Sequence, residues 1–126
     1  MGLTDLDVLI VDDHEAMRAL LTRVFTKVGV TSLRAAANAE EALAALRQRP
    51  ATLILADKNM PGMDGLAFLA AVRGESAFGA PKFIMLSGDA SAAHVQAARA
   101  AGADMVLVKP VPPSALLAAI NELFAV

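Results

Sequence analysis

Five short aliphatic runs alternate along this chain with five segments whose apolar residues recur at helical spacing, and the joints between them are short. That alternation predicts an α/β fold: a five-stranded parallel sheet covered by five helices on both faces, with right-handed crossovers. The runs are continuous rather than alternating, as expected for strands buried on both sides. Four of the five stop abruptly at polar groups, namely Asp12-Asp13, Asp57, Ser87 and Lys109.

Val8-Leu9-Ile10-Val11 is the first strand. Met17, Leu20, Leu21, Val24, Phe25 and Val28 then form a helical stripe, with Gly29 as its C-terminal stop. Residues 31–36 give a second, poorer strand. Asn38 followed by Glu41 resembles a capping box opening a helix through Arg49, with Pro50 beyond its end. Leu53-Ile54-Leu55-Ala56 leads into Asp57, after which Pro61, Gly62 and Gly65 force a turn. Leu66, Phe68, Leu69 and Val72 mark a third helix, broken near Gly74.

Residues 82–86 form the fourth strand, ending in Ser87-Gly88-Asp89. The segment 91–101 reads as a helix closed by Gly102, with an apolar face that is mostly alanine and Val95 as its one large anchor. Such a face buries little per residue, so this helix is expected to be the most loosely packed element. Met105-Val106-Leu107-Val108 is the fifth strand, ending in Lys109-Pro110. Pro113 suits the first turn of the last helix, whose stripe is Leu116, Leu117, Ile120, Leu123 and Phe124. With no internal repeat, linker or low-complexity tail, residues 1–126 are expected to form one domain without an output domain.

The 126 residues are 56% hydrophobic and 19% charged, the composition of a globular chain. A net charge of −2 without a basic stripe argues against nucleic acid as a partner. Cysteine is absent, which removes disulfides, thiolate metal sites and thiol nucleophiles. Met1-Gly2-Leu3-Thr4-Asp5 lacks the basic start of a signal peptide, and Leu6 stands where a myristoylation motif needs Ser or Thr. No apolar stretch approaches membrane-spanning length, so no membrane association and a cytoplasmic location are expected.

In a parallel sheet the polar strand ends emerge at one edge, where open α/β folds bind ligands. A lone Asp there would be a turn cap. An acid pair, an acid, a hydroxyl and an amine at four strand ends are a site. Carboxylates gathered in one cleft repel each other, and a hard divalent cation such as Mg²⁺ relieves that repulsion. Asp57 can then act as a nucleophile toward a phosphoryl group, whose oxygens need the cation, the Lys109 ammonium and the Ser87 hydroxyl as partners. Gly88 leaves space beside Ser87 for that group.

Val-Asp-Asp at 11–13, Asp57 in Asp-x-Asn-Met-Pro-Gly-Met-Asp-Gly, Ser87-Gly88 and Lys109-Pro110 together resemble a response-regulator receiver domain over essentially the whole chain. The resemblance implies a flavodoxin-like doubly wound sheet in the order 2-1-3-4-5. It implies Asp57 as the phosphoacceptor for a sensor histidine kinase, and Mg²⁺ held by Asp13, Asp57, Asp12 partly through water, and the Asn59 backbone carbonyl. Ser87 would be the switch hydroxyl, Lys109 the phosphate partner, and Lys109–Pro110 a cis peptide bond. Self-phosphorylation and autodephosphorylation would be its only chemistry. Output would pass through the surface of the fourth helix, fifth strand and fifth helix, to a target such as a chemotaxis motor switch or to a histidine phosphotransfer protein. Val106 departs from the aromatic residue often found three positions before the lysine, so relay by a swinging ring is not available.

His14 is expected to open the first helix and face solvent rather than bind metal, and His94 to be solvated on the fourth helix. Met60 and Met63 are expected to pack locally in their turn, Lys58 to be a solvated loop charge, and Asn59 and Asp89 to flank the phosphorylation site. The competing enzyme class is a haloacid-dehalogenase-type phosphatase, which also uses Asp, Mg²⁺ and Lys. It requires a second Asp two residues after the nucleophile, where this chain has Asn59. A P-loop enzyme is excluded, because the Gly-x-x-x-x-Gly-Lys-[Ser/Thr] motif does not occur.

Overall fold

The computed structural model describes residues 3–89 and 91–124, so Met1 and Gly2, on which the reading of the extreme N-terminus rests, lie outside the described residues. Strands β1 (Asp7–Val11), β2 (Ser32–Ala36), β3 (Leu53–Asp57), β4 (Lys82–Ser87) and β5 (Met105–Val108) alternate with helices α1 (Glu15–Lys27), α2 (Ala39–Gln48), α3 (Gly65–Gly74), α4 (Ala92–Ala100) and α5 (Pro113–Phe124). All pairings are parallel, and the strand order is β2-β1-β3-β4-β5. The expected fold is therefore the observed one. Two short 3₁₀ turns, Leu3–Asp5 and Ser76–Phe78, carry no periodicity that would announce them.

Side chains alternate along each strand, so the sheet has two apolar faces. Val8, Ile10, Leu53, Leu55, Ile84 and Leu86 pack on one face against Leu21 and Phe25 of α1 and Leu116 and Ile120 of α5. Leu9, Val11, Ile54, Ala56, Phe83 and Met85 pack on the other against α2, Phe68 and Leu69 of α3, and Ala98 of α4. The Phe68 and Phe83 rings meet tilted, with centroids 5.8 Å apart.

Local chemistry sets the helix starts. The Asn38 side chain accepts from the Glu41 N–H at 2.9 Å, while the Glu41 carboxylate reaches back to the Ala37 N–H at 3.0 Å. Asp64 accepts from the Ala67 N–H at 2.8 Å and Ser91 from the His94 N–H at 3.3 Å. Caps of this kind contribute about 1 kcal/mol each. Gly29 and Gly102 follow α1 and α4 at φ +109° and +113°, the left-handed region that only glycine enters without strain.

Helix α4 buries only His94 and Ala98. Val95, the expected anchor, is half-buried, and His94 is not solvated but 7% exposed. Positions 94 and 98, four apart, share the inward face of the helix. Leu20, placed in the stripe of α1, is 47% exposed for the same reason of phase.

Gly65 begins α3 against the end of β3. A Cβ there would lie 2.5 Å from the Asp57 carbonyl oxygen and 2.8 Å from the Lys58 Cα, both backbone atoms that cannot swing aside. Gly65→Ala is expected to destabilise the protein by about 1–3 kcal/mol, measured by urea unfolding, as overpacking against a fixed partner does.

Candidate functional site

Parallel pairing delivers the polar strand ends to one edge. Asp57 closes β3 in register with Leu86, so Ser87 follows one residue beyond, and Ser87 itself pairs with Val108, the residue before Lys109. Backbone bonds hold these ends together: Lys109 N–H to the Ser87 carbonyl at 2.8 Å, Lys58 N–H to the Leu86 carbonyl at 2.8 Å, and Asp12 N–H to the Ala36 carbonyl at 3.1 Å. The Arg18 guanidinium of α1 donates to the Asp12 carbonyl at 2.7 Å and pins the turn after β1.

Asp12 is 0% exposed, Asp57 4% and Ser87 1%, burial that polar side chains rarely reach without partners. The Lys109 ammonium lies 3.0 Å from Asp57 Oδ1 and 3.5 Å from Asp12 Oδ2. The Lys109–Pro110 peptide bond is cis, as the resemblance implied. The Ser87 hydroxyl is held within its own loop, accepting from the Asp89 N–H at 2.9 Å and donating to the Asp89 carbonyl at 3.4 Å. A Cβ built on Gly88 would meet nothing within 4 Å, so the approach beside Ser87 is open. Asn59 lies exposed in the β3–α3 loop, two residues past Asp57.

Ligand atoms of Asp12, Asp13, His14 and Asp57 all fall within 4.8 Å of one another. Asp12 Oδ2 and Asp13 Oδ1 are buried without a hydrogen-bond donor. Carboxylate oxygens so placed are costly unless a cation takes them up, and oxygen donors of this kind fit Mg²⁺. The donor set therefore suits a divalent ion on the evidence of its own unsatisfied atoms.

Four neighbouring residues make contacts beyond those expected of them. His14 does open α1 and is exposed, yet its Nδ1 lies 3.2 Å from both Asp12 Oδ1 and Asp13 Oδ1. Lys58 is not simply a solvated loop charge: its ammonium lies 3.5 Å from Asp89 Oδ2 across two loops distant in sequence. Met60 is buried and Met63 packs on the same core, so the turn after β3 is anchored from beneath. A surface concavity of about 700 Å³ runs along α1 over Arg18, Thr22 and Thr26 and is not lined by Asp12, Asp13 or Asp57. A smaller cavity of about 100 Å³ has Lys109, Leu21, Pro110 and Leu116 among its lining residues.

The family model for the response regulator receiver domain matches residues 8–121. A Rhizobium etli protein described as "Probable chemotaxis protein CheY" is 38% identical over 117 residues, covering 93% of this chain and 91% of that one. The Xanthomonas campestris sensory/regulatory protein RpfC is 35% identical over 117 residues, covering 91% of this chain but only 16% of that much longer one. The solved structure of the chemotaxis response regulator CheY4 of Vibrio cholerae superposes with a TM-score of 0.88 at 33% identity, covering 94% of this chain and 98% of that one. A doubly wound sheet with a phosphoacceptor-like acidic edge defines a class of signalling domains. The chain belongs to the response-regulator receiver family.

Two outcomes follow from this geometry. Asp89 is held below the usual carboxylate range by the Ser91 N–H, then by the Ser91 hydroxyl and Lys58. A depressed value means its contribution is present above the ordinary carboxylate pKa and is lost as pH falls through the lower folded value. The start of α4 should therefore loosen on acidification through that window, read as faster exchange of the Ser91 amide. Second, Mg²⁺ at about ten times its dissociation constant should add roughly 1.4 kcal/mol to stability. Asp13→Asn should raise the metal-free melting temperature and weaken Mg²⁺ binding, checked by thermal melts with and without the ion.

Proposed function

We propose that the chain is a receiver that takes a phosphoryl group on Asp57 from the phosphohistidine of a sensor histidine kinase and signals through phosphorylation-dependent protein binding. The observation that carries this reading is the Lys109 ammonium 3.0 Å from the buried Asp57 carboxylate, at the edge where the other acids also gather.

In the transfer an Asp57 oxygen forms a bond to phosphorus as the phosphorus–nitrogen bond of the donor breaks, and the electron pair leaves with the imidazole nitrogen. Lys109, already beside that oxygen, faces the transferred anion. The Ser87 hydroxyl, now bonded to the Asp89 backbone, turns to a second phosphoryl oxygen and releases the loop before α4. Asp12, Asp13, Asp57 and the Asn59 carbonyl would hold Mg²⁺, which supplies positive charge against the acids and the phosphoryl oxygens. Hydrolysis of the acyl phosphate resets the domain.

Output then falls to the α4–β5–α5 surface, where β5 offers Val108 at 43% exposure. The partner is a target protein of the chemotaxis type or a histidine phosphotransfer protein. The likeness to chemotaxis regulators over nine-tenths of both chains supports the former and an action as one receiver unit. No helix among the described residues is long and apolar enough to cross a membrane. The cytoplasmic location we propose rests instead on the likeness to a chemotaxis regulator.

Asp57→Asn is expected to abolish labelling by acetyl phosphate with an unchanged circular dichroism spectrum; retained labelling would identify another nucleophile. Lys109→Ala should keep Mg²⁺ binding and slow phosphorylation by about a hundredfold or more. Release of phosphate from many equivalents of a phosphomonoester would instead mark a phosphatase.

A further inference from the structure

We propose that the His14 imidazole is a further protein ligand of the acidic site and tunes its choice of divalent cation, favouring ions that accept nitrogen, such as Ni²⁺, over Mg²⁺. The inference rests on reading the acidic cluster as a cation site and adds a ligand and a preference to it.

His14 Nδ1 stands 3.2 Å from Asp12 Oδ1 and 3.2 Å from Asp13 Oδ1. One ring nitrogen carries at most one proton, and only the contact to Asp12 has hydrogen-bond geometry. Asp13 Oδ1 is left buried without a hydrogen-bond donor, and Oδ2 of the fully buried Asp12 has the Lys109 ammonium only at an ion-pair distance of 3.5 Å, without a hydrogen bond. A cation resolves what one proton cannot, because it accepts all these atoms at once. Adjacent ligand atoms around an octahedral ion with bonds of about 2.1 Å lie roughly 3.0 Å apart, close to the two 3.2 Å contacts of His14, while the full set, within 4.8 Å, would draw together on binding.

Position also favours this use of the ring. His14 is the N-cap of α1, yet its side chain makes no cap bond, whereas Asn38, Asp64 and Ser91 all cap their helices. The ring is turned toward the acids instead. Its side chain is 69% exposed, which leaves room for Nε2 to keep its proton in water while Nδ1 offers a lone pair inward. Imidazole suits the later first-row ions, while Mg²⁺ takes oxygen donors and keeps its waters. Losing one nitrogen ligand should therefore cost nickel far more than magnesium.

Because the ring makes no cap bond, His14→Ala removes the nitrogen without removing a cap. The test compares wild type and His14→Ala by calorimetric titration with Mg²⁺ and Ni²⁺, and by pulsed electron paramagnetic resonance of the Mn²⁺-loaded protein. The expected result is a loss of about tenfold in Ni²⁺ affinity, with Mg²⁺ affinity changed by less than about twofold. A ¹⁴N coupling should appear in the wild-type Mn²⁺ spectrum and vanish in the variant. Equal losses for the two ions, or a wild-type spectrum without nitrogen coupling, would overturn the proposal while leaving the cation site standing. Failure of every ion to bind wild type would overturn the cation site and this inference together.

Discussion

Parallel pairing is the constraint on which everything else in this molecule depends. It sends all five strands in one direction, so every strand finishes at the same edge and every residue that ends a run arrives there too. Asp12 after β1, Asp57 on β3, Ser87 on β4 and Lys109 after β5 are far apart in sequence, yet backbone bonds between neighbouring strand ends hold them in register. The site needs no loop of unusual shape. It is a by-product of sheet direction, provided that strands stop where polar residues begin.

The two edges of the sheet handle charge differently. At the amino edge, acids and bases pair off: Asp7 takes Arg34 at 3.2 Å and Arg49 at 2.7 Å, and Asp104 takes Arg73 at 3.2 Å. Arg73 also spans the Gly102 and Pro81 carbonyls and so ties α3 to the starts of β4 and β5. At the carboxyl edge the acids outnumber the bases, with Lys109 within ion-pair distance of both Asp57 and Asp12. The carboxylates of Asp7 and Asp104 thus each have a guanidinium partner, whereas the carboxyl edge, with acids in excess, has room for positive charge.

Most of this was legible in the sequence because it depends on where runs begin and end. Continuous aliphatic stretches, the Asn38–Glu41 box, Gly29, Gly102 and Pro113 report backbone requirements that no tertiary contact overrides. What escaped were features decided by helix phase and by loops meeting in space. Val95 outranks His94 in hydrophobicity, yet position 94, and not 95, shares the inward face with Ala98. Lys58 and Asp89 belong to loops after different strands, so their contact has no local sign. Asp64 as the cap of α3 could have been read, since it precedes an apolar helix directly. Gly65 looked like one of several turn glycines, whereas its distinction is the Asp57 carbonyl lying where its side chain would be.

The packing of α4 gives the switch reading its physical plausibility. A helix that buries an imidazole and an alanine gains little from its seat on the sheet, and the buried His94 Nε2 lacks a hydrogen-bond partner there. Val106 on β5, paired with Met85, packs against the same core to which Ala98 belongs. Shifting α4 therefore sacrifices less apolar contact than shifting α3, whose Phe68, Leu69 and Val72 are fully buried. The Ser87 hydroxyl and the Asp89 backbone sit at the entrance to this loosely held helix, bonded to each other. A rearrangement at the acidic edge that broke those bonds would act on a helix that gives up less apolar contact on moving than α3 does.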